Sequence, residues 1–170
     1  MAHPEPVPSL DAHSYRHVVG RFATGVTVVS TVHEGVRYGM TVNSFTSVSL
    51  DPLLVLFCCE LDASLHAPLM AAGVWGVSVL SADQQKVAAW FATRGTAGVD
   101  QFVECPARPG PVTGVPLVAD SLAWLECRTR TTYDGGDHTI VLGEVVDLAI
   151  GVDASPLLYF RSDYRTVEPG

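Results

Sequence analysis

Residues 39–59, GMTVNSFTSVSLDPLLVLFCC, divide into two halves of opposite character. The first half carries Thr41, Asn43, Ser44, Thr46, Ser47 and Ser49, a density of hydroxyl and amide groups too polar for a core. The second half, residues 53–59, is an apolar run behind the Asp51-Pro52 breaker. It reads as a buried strand. A donor-rich loop held by a rigid strand suits a ligand with many oxygens. Read as extended backbone, Thr41, Asn43, Phe45, Ser47 and Ser49 share one side. The same composition also fits a polar surface hairpin.

Working outward, residues 12–23 place Tyr15, Val18, Val19 and Phe22 at helical spacing, and Gly25 closes that helix. GVTVVSTVH, residues 25–33, alternates as a strand. Glu34-Gly35 turns, and residues 37–42 return as its hairpin partner. Downstream, Ser64 is placed to cap a short helix running to Ala72, with Pro68 in its first turn. Residues 74–80 form another strand. Asp83 is the expected cap of a helix over residues 84–93, with Val87, Trp90 and Phe91 on one face. Residues 95–116, rich in Gly and Pro, read as a long irregular excursion. SLAWLECRTRTTY and HTIVLGEVVDLAI are two long strands joined by Asp134-Gly135-Gly136-Asp137, a hairpin signal, and LLYF is a last short strand. Six or seven strands with about three helices predict an antiparallel barrel with helices outside, mainly β or α+β, in one domain. Residues 1–11 read as a flexible N-terminal tail.

At 170 residues with 48% hydrophobic content, the chain can bury a sizeable core. No apolar run approaches the ~20 residues of a membrane span. MAHPEPVPSLDAH has neither the basic nor the apolar region of a secretory signal, so a cytoplasmic location is the expectation. A net charge of -8, with Lys86 the one lysine, argues against nucleic acid as a partner. Any bound phosphate must be held by backbone N–H groups, hydroxyls and one or two arginines. Cys58, Cys59, Cys105 and Cys127 make no C-x-x-C pair and read as free thiols. The histidine spacings offer no metal site. Dinucleotide-binding glycine motifs, a P-loop and a nucleophile elbow are all missing from the sequence.

Three further features are candidates, each with a plainer alternative. Asp62-Ala63-Ser64 lies at an expected helix N-terminus, which attracts phosphate, or it is a simple cap. His138 opens a strand after the hairpin turn, where it can donate to a carboxamide or stack on a ring, or remain a surface residue. Phe91 and Arg94 end the long helix, Arg94 being one of few cations available to a phosphate, or else they are core and helix-dipole partner. Trp75, Trp90 and Trp124 sit in regular elements and read as core.

RFATGVTVVST, GMTVNSFTSVSLDPLLVLFC, WGVSVLSADQQKVAAWFA and GDHTIVLGEV occur in the order and spacing of the short-chain flavin reductases. The chain resembles that family from about Tyr15 to Tyr164. The resemblance implies a split β-barrel homodimer of the FMN-binding type. It implies reduction of FMN or FAD by NADH or NADPH, with release of reduced flavin to a partner flavin-dependent monooxygenase. By position, Thr41, Val42, Asn43, Ser44 and Phe45 would line the isoalloxazine and ribityl chain, and Ser47 and Ser49 the ribityl-phosphate region. Asp62, Ala63 and Ser64 match a phosphate-side segment that often reads Asn-x-Ser, and the Asp62 carboxylate departs from it. Phe91 and Arg94 would lie by the flavin tail, His138 by the nicotinamide, and Tyr164 over the site. Rival readings are an FMN-keeping carrier or sensor, an oxidase of a small phosphorylated substrate, and a scaffold that uses the barrel only to dimerise.

Overall fold

The computed structural model describes residues 9–93 and 100–167. Arg94 and residues 1–8 of the expected tail lie outside the described residues. Residues 9–11 lead into α1 (Ala12–Val19), whose N-cap Asp11 accepts from Ser14 N at 2.8 Å. The helix ends earlier than its spacing predicts, at Gly20 rather than Gly25. Its apolar stripe also faces outward, Tyr15 being 63% and Phe22 77% exposed.

The principal sheet has seven antiparallel strands. They are β2 (Thr27–His33), β3 (Val36–Val42), β4 (Thr46–Leu50), β5 (Leu53–Glu60), β6 (Val74–Val79), β9 (Ala123–Asp134) and β10 (His138–Ile150), in the order β3-β2-β6-β9-β10-β5-β4. Short β1 (Thr24–Gly25) joins β11 (Leu157–Phe160) and β12 (Asp163–Thr166), and β7 (Ala107–Pro109) pairs β8 (Pro116–Val118). β3 and β4 are the two edges of the seven-stranded sheet, yet only the three residues 43–45 separate them in the chain. Four peptide steps reach at most about 14 Å, so the edges must come close and the sheet must curl almost shut. No pairing joins β3 to β4 among the described residues. That unpaired seam makes the expected split antiparallel barrel.

The segment over residues 41–49 is therefore a corner followed by a strand, not one extended loop. β4 lies against β5 with a bulge between Ser47 and Ser49, which breaks the expected alternation. The apolar run of β5 is buried on one face only. Val55, Phe57 and Cys59 are buried, while Leu54, Leu56 and Cys58 are half-exposed. Conversely β2, expected to alternate, has residues 27–31 buried throughout. Val29 faces the inner core with Phe57, Trp75 and Val141, and Val28 faces an outer layer with Leu80, Phe91 and Leu157. The hydroxyls that share this strand are matched: Thr27 Oγ1 donates to Val42 O at 3.0 Å and Thr31 Oγ1 to Val74 O at 2.7 Å.

α2 (His66–Ala72) starts two residues after Ser64, with Leu65 rather than Ser64 at its N-cap position, and Pro68 is the third helical residue. Leu65 and Leu69 seat this helix on the inner core. Ahead of α3 (Gln85–Phe91), Ala82–Gln84 is a 3-10 turn. Ser81, not Asp83, caps it by a reciprocal bond with Gln84, the capping-box arrangement. α3 packs Ala88 and Phe91 on the outer layer, while Trp90, expected in the core, is 40% exposed and donates from its indole to Gln101 O at 2.9 Å. The Gly- and Pro-rich excursion, within its described part, contains β7, and β8 opens at its end.

Candidate functional site

A cleft of about 490 Å³ opens at the seam between β3 and β4. Its walls are the end of β3 with the corner (residues 39–44), the end of β5 at Cys58 and Glu60, the turn at residues 62–64, the C-terminus of α3, and His138. Each wall is fixed locally. Thr41 Oγ1 donates to Ala88 O at 2.6 Å, binding β3 to α3. Gly39 lets the Phe91 ring close on β3, since a Cβ there would stand 2.6 Å from Phe91 Cε1. At the corner, Ser44 Oγ accepts from Cys58 N at 3.0 Å and lies 3.4 Å from Cys58 O. That hydroxyl stands in for a ladder bond, so Ser44 holds the corner against β5.

The β9–β10 hairpin brings His138 in. Gly136 takes φ +79°, and its N–H donates to Asp134 Oδ1 at 2.9 Å, an Asx-type turn. The register then sets His138 opposite Glu60, and Leu61 N donates to Asp137 O at 3.1 Å. His138 Nδ1 lies 2.7 Å from Asp137 Oδ1. With Nδ1–H donated to Asp137, Nε2 is the ring nitrogen left for a ligand. The hydrogen bond from His138, and then its charge, holds the Asp137 carboxyl below the usual carboxylate value. His66 Nε2 is 2.8 Å from Thr139 Oγ1, fastening the start of α2 beside this point.

Of the residues singled out in the sequence, Thr41, Val42, Asn43, Ser44, Asp62, Ala63, Ser64, Phe91 and His138 line one cleft. Phe45, Ser47, Ser49 and Tyr164 do not. Phe45 turns against the inner core, Ser47 sits exposed on β4, and Ser49 Oγ accepts from Asp51 N at 3.2 Å. Tyr164 lies in a side chamber beyond Thr41, Asn43 and Ala92. Cys58, Glu60, Ala92 and Thr93 line the cleft without having been expected there. The signal for two of them was the period of two along β5, which puts Cys58 and Glu60 on the face opposite Phe57 and Cys59. Glu60 and Asp62 bring two carboxylates to the lining, and no lysine or arginine lines the cleft among the described residues. No group of residues that could hold a metal ion occurs among the described residues.

Residues 19–168 match the model of the flavin reductase like domain. The chain is 45% identical over 166 residues to an NADH-dependent FAD reductase of Streptomyces globisporus, covering 97% of this chain and 91% of the relative. It is 38% identical over 162 residues to the reductase subunit HsaB of a flavin-dependent monooxygenase of Mycobacterium tuberculosis, covering 94% of this chain and 84% of the relative. The solved structure of the Streptomyces globisporus C-1027 NADH:FAD oxidoreductase SgcE6 superposes with a TM-score of 0.93 at 43% identity, over 99% of this chain and 100% of that one. The same protein has been solved in complex with NAD and FAD fragments, and that form superposes with a TM-score of 0.91 over 98% of each chain.

Proposed function

The chain belongs to the flavin reductase like domain family, and from that premise we propose that it oxidises NADH and reduces FAD or FMN in the seam cleft. The observation that carries the reading is the convergence of residues 41–44 and His138 on one space of about 490 Å³. The lining fits a flavin: residues 41–44 at a sheet corner, and the turn at residues 62–64 leading into α2. When bound, the nicotinamide and the isoalloxazine supply the hydride chemistry between themselves. The protein's share is to stack the rings, exclude water and orient the carboxamide through His138 Nε2. Asp137 holds that imidazole in one tautomer. Absence of a dinucleotide-binding glycine motif agrees with a nicotinamide lying over the flavin rather than on a fold of its own.

A separate flavin-dependent monooxygenase is the proposed recipient of the reduced flavin, in keeping with the subunit role in the name of HsaB. The homodimer implied by the resemblance is part of the proposal. It is supported by the exposed apolar residues Val48 and Leu50 on the β4 edge and by the outward stripe of α1. A cytoplasmic location is proposed from four free thiols.

The test is purified protein mixed with NADH and excess free FAD or FMN, following nicotinamide absorbance. Many turnovers per protein are expected. Oxidation that stops at one equivalent would point instead to a carrier that keeps its flavin, and no oxidation would refute the reductase.

A further inference from the structure

Behind the cleft lies a second chamber of about 210 Å³, lined by Val26, Thr41, Asn43, Ala92, Tyr159 and Tyr164. Thr41, Asn43 and Ala92 line both spaces, so the two are ends of one groove that bends around the β3 terminus. The linings differ in chemistry. The cleft has the carboxylates Glu60 and Asp62, whereas the chamber has no charged lining residue among the described residues. Its far wall is a pair of half-buried tyrosines, ring centroids 5.7 Å apart at 65°, on the paired strands β11 and β12. Both rings pack on the outer core, which fixes them in place. Burial and the neighbouring Tyr159 push the Tyr164 phenol above its ordinary value, so it stays neutral across the physiological range.

We propose that this chamber takes the adenine ring of a dinucleotide substrate, a role that rests on the flavin reductase reading of the adjoining cleft. A neutral, flat, bicyclic base suits an uncharged aromatic wall, and tyrosine faces stack on bases whatever their sequence. Asn43 stands where the two spaces meet. Its carboxamide offers the adjacent donor and acceptor that complement the N6–N7 edge of adenine. The groove thus separates the two ends of a dinucleotide by chemistry, with the reacting ring in the polar cleft and the adenine in the neutral chamber. FAD and NADH both carry adenine, and the chamber would serve one of them.

Tyr164→Leu tests this, since leucine keeps an apolar side chain on β12 but removes the stacking face. Tyr164→Phe keeps the face and controls for folding. Calorimetric titration with AMP should show wild type and Tyr164→Phe binding alike, and Tyr164→Leu weaker by roughly tenfold. In turnover, the Michaelis constant should rise for FAD and not FMN if the adenine is the flavin's. It should rise for NADH and not reduced nicotinamide mononucleotide if the adenine is the nicotinamide's. An equal rise for substrates with and without adenine, or unchanged AMP binding, overturns the proposal. If wild type reduced no flavin but Tyr164→Leu still weakened AMP, the reductase reading alone would fall and the chamber would stand as an adenine site.

Discussion

His138 and Asp137 show how much one adjacent pair can decide. Asp137 is 91% exposed at its side chain and spends one oxygen on the imidazole at 2.7 Å. For His138→Ala we expect the Michaelis constant for NADH to rise about three- to tenfold, the loss of one or two hydrogen bonds, with flavin affinity changed less. A titration showing the reverse would remove His138 from the nicotinamide side. The Asp137 carboxyl is held low by His138, so the contact is present above the ordinary carboxylate range and is lost as pH falls through the lowered value. The acid limb of the NADH Michaelis constant against pH should therefore flatten in Asp137→Asn. Thiols give a second check on the same wall. Burial pushes Cys59 and Cys127 up to about 12, so at pH 8 only about one molecule in ten thousand carries the thiolate. Cys58 lines the cleft and is partly exposed. Brief alkylation of the native protein with mass mapping should mark Cys58 first, and excess flavin should protect it. Equal labelling of Cys59 would contradict the burial assigned to β5.

Among the elements, α3 and the β3 terminus form one unit, because the helix wall of the cleft closes only where β3 has no side chain. Gly39 N donates to Gln101 Oε1 at 2.9 Å, and its missing Cβ leaves room for the Phe91 and Phe102 rings, themselves 4.8 Å apart. Gly39→Ala should cost about 1–3 kcal/mol through overpacking, and should weaken flavin binding by moving residues 91–93. Denaturant titration beside flavin titration checks both, and wild-type stability would show that the rings yield freely. Regular elements of this kind were legible from period and punctuation: β2, β3, β6, β9 and β10 stand close to where alternation and turns put them. What the sequence hid was partnership. Nothing local says that β2 is covered on both faces while β5 keeps one face open, because that depends on which layers pack outside. Ser81 also displaced Asp83 as a cap because Gln84 could reciprocate, a pairing three residues long that propensity alone does not rank.

For the molecule as a whole, the site is a consequence of a barrel that does not close. A seam between β3 and β4 can persist only if the rest of the sheet is held rigidly around its inner core. Phe57 and Trp75 stand at the middle of that core, fully buried, with ring centroids 4.9 Å apart and an edge-on angle of 63°. Gly143 on β10 completes the fit, since a Cβ there would come 2.3 Å from Trp75 Cζ2. Most residues of the cleft could be singled out in the sequence, among them Thr41, Asn43 and His138, but its position could not, because the seam arises from strand order over the full chain. Phe57 points inward and touches no cleft wall, while its neighbour Cys58 points out into the cleft. Phe57→Ala should therefore act on the scaffold first, removing about 3–5 kcal/mol, a large part of the ~5–15 kcal/mol of a typical domain. Thermal unfolding of Phe57→Ala should shift down by many degrees, and saturating FAD should restore part of the loss, about 2.7 kcal/mol at a hundredfold excess over its dissociation constant. A variant that kept its melting temperature but lost flavin binding would mean that the seam is shaped locally by residues 43–45 and not by the core behind them.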